Sequence, residues 1–301
     1  KQGSFLYDPK TKRFSSKEQN TLGNPALDSL GQVKNSRYPF VAKDGTWWMV
    51  TWIPFTGTAP VLYSYDKKQN NLLRFEKISP YKPDSYYEIW NIFQHDNGTM
   101  WVYGMGLLAY YNTGEKRFIH INSDPFQQNG IEYDFVSSLH EDKEKNVWVC
   151  TNKGLYRFNV EAQVFQNIPN TRLNDTTAIH NAVSAVIQTK NNGIWVSTWG
   201  AGIFSYNGQL QPIENPFTKA DPINKGLHAS FMIQRRNGEV WVGTQTGGIK
   251  IFDPGSGKCF SVFPSLLQGE TITQLAEDHS GNTWIGATSG ALVKCEGGNW
   301  K

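Results

Sequence analysis

Short apolar runs alternate with glycine-bearing polar turns along the whole chain. The clearest stretch is Asn237-Gly-Glu-Val-Trp-Val-Gly-Thr-Gln-Thr-Gly-Gly-Ile-Lys-Ile-Phe-Asp253. Asn237-Gly238 between apolar runs predicts a tight hairpin turn, because both central residues of such a turn need positive φ. A strand centred on Trp241 follows, then a bend at Gly247-Gly248 and a second strand ending at Phe252. One such hairpin is marginal alone. This one recurs, and the recurrence sets the architecture.

The tryptophans Trp48, Trp101, Trp148, Trp195, Trp241 and Trp284 keep the register, 43 to 53 residues apart. Periods of roughly 40 to 50 residues with four short strands each are the mark of β-propeller blades. A blade is covered on both faces, so its strands are apolar on both sides. Trp148-Val-Cys-Thr and Trp241-Val-Gly-Thr follow that rule. The repeated Trp is therefore read as core, not as a binding residue. No segment holds a helical apolar period over three turns.

The predicted fold class is all-β, a β-propeller of four-stranded antiparallel blades, with residues 1–301 as one domain. Six repeats are recognisable, plus an N-terminal half blade. That half blade, Gly3-Ser-Phe-Leu-Tyr-Asp8 with Arg13-Phe14, matches the third and fourth strands of the later repeats. The match favours seven-bladed geometry, with the missing inner strands drawn from beyond Lys301. Closure on six, by pairing Lys1–Ser16 with the sixth repeat, is the other arrangement. Residues 15–32 read as a long polar surface connection, and the first repeat carries an insertion at Ile53–Pro60.

Composition narrows the chemistry. The net charge is +3 with no basic run, which argues against nucleic acid as a partner. No stretch reaches the ~20 apolar residues of a membrane span. Lys1 opens no signal peptide, so the sequence is cytoplasmic, or a processed or trimmed secreted segment. Cys150, Cys259 and Cys295 form neither a metal spacing nor an even framework, and read as free thiols in strands. There is no phosphate-binding G-x-x-x-x-G-K loop and no zinc spacing, so no cofactor or metal is expected.

Three stretches carry a family resemblance. They are Glu141-Asp-Lys-Glu-Lys-Asn-Val-Trp148-Val-Cys-Thr-Asn-Lys-Gly154, Asn237 to Gly248 with Phe252-Asp253, and Glu277-Asp278-His-Ser-Gly-Asn-Thr-Trp284. They resemble the two-component regulator propeller repeat. The likeness is strong in repeats three to six and weaker in the first two, where Gly104 stands at a usual Thr. The resemblance implies the periplasmic sensor region of a hybrid two-component system of Bacteroidetes-type bacteria. It implies a glycan or oligosaccharide ligand, signalling to a cytoplasmic kinase, and no enzymatic activity. Partners would be the rest of the sensor ectodomain or a second copy in a homodimer, with the membrane reached only through the parent chain.

Two rival readings stand beside it. Asp96-Asn-Gly98 and Asp278-His-Ser-Gly281 are similar to the Asp-box turn of sialidase-like glycoside hydrolases, with the spacing off by a residue. Their aspartates are better read as turn formers bonding nearby amides. The third reading is a protein-binding scaffold.

Strand alternation places any ligand site. Bends between the second and third strands share a face with the connections between blades, and the Asp/Asn-Gly turns lie opposite. The first set is long and variable, where function usually sits. Sugars offer an apolar face and a rim of hydroxyls, so a site needs an aromatic platform and planar hydrogen-bonding groups. The candidates are Trp52, Trp199, Tyr87, Tyr133, His180, His228, Arg37, Asn152 and Gln245. The plain alternative for each is a solvated loop residue or an aromatic packed beneath a loop.

Overall fold

The computed structural model describes residues 5–301 apart from 9, 32, 34–35, 52–58, 77, 79–85, 125, 127–128, 176 and 221. It is almost wholly β, and among the described residues no helix exceeds five residues. None is long and apolar enough to cross a membrane. Six four-stranded antiparallel sheets follow one another in chain order, preceded by a two-stranded sheet, Leu6–Asp8 with Arg13–Ser15. These are the six repeats and the half blade that the tryptophan register predicts. The chain forms two compact units, Lys1–Asn122 and Ser123–Lys301.

The N-terminal pair is a blade's outer half in its details. Asp8 accepts the Lys10 N–H at 2.9 Å and the Thr11 hydroxyl at 2.7 Å. Asp253, between the third and fourth strands of blade five, accepts the Gly255 N–H at 2.8 Å and the Ser256 hydroxyl at 2.6 Å. Each turn closes on a left-handed residue, Lys12 at φ 56° and Gly257 at φ 68°.

Unit Lys1–Asn122 also holds blades one and two. Blade one comprises Ser36–Val41, Trp47–Thr51, Val61–Asp66 and Asn71–Phe75. Blade two comprises Asn91–Gln94, Met100–Gly104, Leu107–Asn112 and Arg117–His120. Trp48 is 6% exposed and packs on Phe75, Tyr111 and Phe118. Gly104 has a physical reason: a Cβ there would come within 2.3 Å of the Glu88 carbonyl oxygen. The expected surface connection at 15–32 proves partly internal. Ala26–Leu30 is a short helix whose Ala26 and Leu30 pack with Met49 and Tyr65. The Asn24 side chain starts it by accepting the Ala26 N–H at 3.0 Å.

Unit Ser123–Lys301 holds blades three to six. Blade three is Val136–Glu141, Val147–Thr151, Gly154–Asn159 and Val164–Ile168. Blade four is Val183–Gln188, Ile194–Thr198, Ile203–Tyr206 and Pro212–Ile213. Blade five is Ala229–Gln234, Val240–Thr244, Ile249–Asp253 and Lys258–Val262. Blade six is Ile272–Glu277, Thr283–Ala287, Leu292–Glu296 and Asn299–Trp300.

Two repeated devices join these blades. The first strand of each bulges at its second residue: Ser137, Ser184, Ser230 and Thr273. A bulge re-aims a side chain. Here it turns three hydroxyls toward the next blade, where Ser137 donates to the Val183 carbonyl, Ser184 to Ala229 and Ser230 to Ile272. At the other end of the strand, Gln188, Gln234 and Glu277 accept backbone N–H groups of Lys143, Lys190 and Arg236 in the preceding blade, at 2.7 to 2.9 Å. Apolar packing fills the space between, with Val149, Val196, Val242 and Ile285 all fully buried.

The Asp-bearing turns are structural. Asp142 accepts the Trp148 indole N–H at 2.9 Å, and Asp278 that of Trp284 at 2.9 Å. Asp278 also receives the backbone of Ser280 and Asn282.

Candidate functional site

In unit Ser123–Lys301 the predicted face is real. The residue after each second strand donates its N–H to the residue before the first strand. Asn152 reaches Phe135, Trp199 reaches Ala182, Gln245 reaches His228, and Thr288 reaches Thr271, at 2.9 to 3.3 Å. Bends and inter-blade connections are thus laced together. Asn152, Trp199, Gln245 and Thr288 occupy one repeat position, so three of the sequence candidates are equivalent in the fold.

Equivalence of backbone does not bring equivalence of surface. Trp199 is 42% exposed, while the repeated Trp148, Trp195 and Trp241 are 1 to 7% exposed. Its ring lies 6.1 Å from Phe135, tilted by 39°. Trp199 pairs with His228 in an isolated antiparallel bridge. Gly200, at φ +91°, lets the chain turn there, and the His228 ring packs over it, 3.2 Å from where a Cβ would stand. Asn181 donates to the Trp199 carbonyl at 2.8 Å. The result is a broken aromatic surface, Phe135 and Trp199, edged by exposed His228 and half-buried Asn181; His180, next to Asn181 in the chain, is exposed.

The remaining candidates divide. Gln245 is half-buried, and its carbonyl accepts the Thr271 hydroxyl at 3.2 Å. Asn152 is committed to its own loop: its Oδ1 accepts the N–H groups of Asp134 and Phe135, and its Nδ2 donates to Asp134 at 2.7 Å. That bond and the Lys153 ammonium at 3.1 Å hold the Asp134 carboxyl below its ordinary range. Tyr133 is 4% exposed and Tyr87 7% exposed, so both lie beneath the surface rather than on it. Tyr87 packs with Leu62, Ile89 and Leu107 inside the other unit. Arg37 is exposed and also belongs to that unit. Trp52 lies outside the described residues.

Sequence reasoning missed Phe135 and Asn181. Phe135 directly precedes the strand Val136–Glu141 and in sequence reads as part of that apolar run. The register held a signal for it, since Phe135 and His228 stand at the same place before their first strands.

No family model matches the chain. Solved structures do. The extracellular domain of the Bacteroides thetaiotaomicron hybrid two-component system BT3049 aligns with a TM-score of 0.62 at 13% identity, over 86% of this chain and 33% of that one. The extracellular domain of BT4673, from the same organism, aligns with a TM-score of 0.59 at 16% identity, over 100% of this chain and 46% of that one. The chain carries the propeller fold of these extracellular domains. PorZ, described as an essential surface component of the type-IX secretion system of Porphyromonas gingivalis, shares it with a TM-score of 0.61 at 16% identity, over 87% of this chain and 38% of PorZ. Among curated proteins, histidine kinase P4 of Formosa agariphila is 29% identical over 90 residues, 29% of this chain and 7% of that protein. The chain spans less than half the length of each of these proteins. The resemblance read from the repeats is borne out in the fold.

Proposed function

We propose that this chain is the ligand-reading propeller of a periplasmic two-component sensor. It recognises a glycan without transforming it, and signals to a cytoplasmic kinase through its parent chain. One observation carries the reading: at a position repeated in four blades, Trp199 alone is an exposed aromatic, set beside Phe135 and His228. An asymmetric ligand cannot use equivalent groups in every blade, so its site must break the repeat. An exposed indole suits the apolar face of a sugar, and the imidazole and amide edges suit its hydroxyls.

The fold shared with extracellular two-component domains supports this placement. Asp278, one of the two turn aspartates behind the sialidase-like reading, bonds the Trp284 indole and its own turn, which fits a turn former.

Screening oligosaccharides by thermal shift tests the proposal, since a ligand that binds only the folded form raises the melting temperature. Trp199→Ala should weaken binding of any hit about 5- to 100-fold, the range that one aromatic stacking contact supplies. Substitution at Asn237, in the turn of blade five on the opposite face, should leave it unchanged. Loss of affinity only in the Asn237 variant would place the site on the wrong face.

A further inference from the structure

A second hollow lies in blade four, of about 190 Å³, between its outer strands and the connection from blade three. A dry apolar cavity of about 150 Å³ already admits a six-membered ring. The wall contains Arg172, Leu173, Phe204, Ile213, Thr218 and Lys225.

Arg172 is held in place before any ligand arrives. Its guanidinium lies over the Phe204 ring at 4.8 Å. Its Nη2 donates to the carbonyls of Ala201 at 2.6 Å and Lys225 at 3.1 Å. Among the described residues, its Nε and Nη1 make no hydrogen bond. Two acids stand close: Glu214, itself in the wall, is offset by Lys219 at 3.4 Å, and Asp175, whose charge also acts on Arg172, accepts the Thr177 N–H at 2.9 Å. Lys225 brings a second cation with no ion pair among the described residues. Thr218 Oγ1, in the same wall, is buried and has no hydrogen-bond partner among the described residues. Leu173 and Ile213 are 49% and 40% exposed at the cavity and give it an apolar side.

We infer that this hollow is a site for a small carboxylate with a saturated hydroxylated ring, the chemistry of a uronic acid. A planar guanidinium already anchored through one nitrogen is a pre-organised partner for a carboxylate. Lys225 adds charge, Leu173 and Ile213 meet the C–H face of the ring, and the Thr218 hydroxyl is left for a ring hydroxyl. The site is distinct from the Trp199 surface, but Arg172 joins them: Ala201 lies two residues after Trp199, and Lys225 three before His228.

Titration calorimetry with glucuronate, galacturonate, glucose and acetate tests the inference on the whole chain. A uronate should bind, and glucose and acetate should bind at least about tenfold more weakly, since a charge-assisted hydrogen bond and ring contact are each missing from one of them. Lys225→Met should weaken the uronate about tenfold, and Thr218→Val should weaken it less. Lys225 is exposed, so the Lys225→Met readout survives even if Arg172→Lys unfolds the blade. Trp199→Ala should leave uronate affinity unchanged, which separates this site from the glycan reading. Equal binding of glucose, or an unaltered affinity in Lys225→Met, would overturn the inference. Acetate binding as tightly as the uronates would reduce it to an adventitious anion and overturn it equally.

Discussion

Ser184 donates its hydroxyl to the carbonyl of Ala229 at 2.8 Å, across the seam between blades four and five. Ser184 is 5% exposed, and its oxygen also meets the Ser197 hydroxyl at 2.8 Å. Among the described residues, Ser184 is the one side chain that caps this carbonyl at the seam, and Ser184→Ala removes it. The expected loss is about 1–3 kcal/mol, the cost of stranding a buried acceptor. Urea unfolding of Ser184→Ala checks it, with Ser230→Ala as the parallel case. A midpoint equal to wild type would mean that the apolar contacts alone join the blades.

The two classes of tryptophan should separate cleanly. Trp241 is 4% exposed, donates to Glu239 at 2.9 Å and lies under the Arg235 guanidinium at 5.1 Å. Trp241→Ala should cost about 3–5 kcal/mol through the cavity it opens. Trp199→Ala should cost under about 1 kcal/mol, since an exposed residue leaves no closed void. Thermal melts of the two variants distinguish them, and equal losses would contradict the burial difference.

Acid sensitivity should trace to the turn of blade six. The amide of Asn282 and the indole of Trp284 hold the Asp278 carboxyl well below its ordinary range. A carboxyl depressed in the folded state stabilises the fold above its unfolded pKa, and that contribution fades as pH falls toward the folded value. The loss should therefore develop below about pH 4, where an unfolded aspartate takes up its proton. In Asp278→Asn the fold should be weaker at neutral pH and should fall less steeply through the acid limb. Denaturant titrations at several pH values check both. An unchanged acid limb would mean that other carboxylates dominate.

The thiols should be graded in reactivity. Burial pushes the Cys150 thiol up to about 12, and raises Cys259 and Cys295 as well. Cys150 is fully buried and Cys259 only partly so. Under native conditions at mildly alkaline pH, Cys259 should alkylate first and Cys150 only on unfolding, because the thiolate is the reacting form. Mass spectrometry of a timed alkylation checks the order, and early labelling of Cys150 would place it at the surface.

The blades were legible because their signal is redundant. Trp148, Trp195, Trp241 and Trp284 each stand beside a turn and a β-rich run, so any one of them fixes the register of its neighbours. The seams were not legible. Ser137, Ser184 and Ser230 look like ordinary strand serines, and only the bulge shows that they point at another blade. Within the candidate site, the variable face was readable from loop length, and Trp199 from its break with the repeat. Tyr87 and Tyr133 show the limit. An aromatic near a long loop can roof the core as readily as it can face a ligand, and sequence carries no measure of which. Asn152 shows another: its amide is consumed by Asp134 and Phe135, a local bond set that composition cannot forecast.

Four seam hydroxyls, those of Ser137, Ser138, Ser184 and Ser230, end on main-chain carbonyls, and the residues that own those carbonyls are Val183, Ser184, Ala229 and Ile272. The receiving blade thus presents a group that every amino acid carries. For this one contact, duplicating, deleting or exchanging a blade needs no matched partner side chain, unlike the Lys143–Asn192 and Arg236–Glu277 pairs across the same joints. The joints act as a common thread gauge, which frees the loops of each blade to diverge while the stack stays assembled.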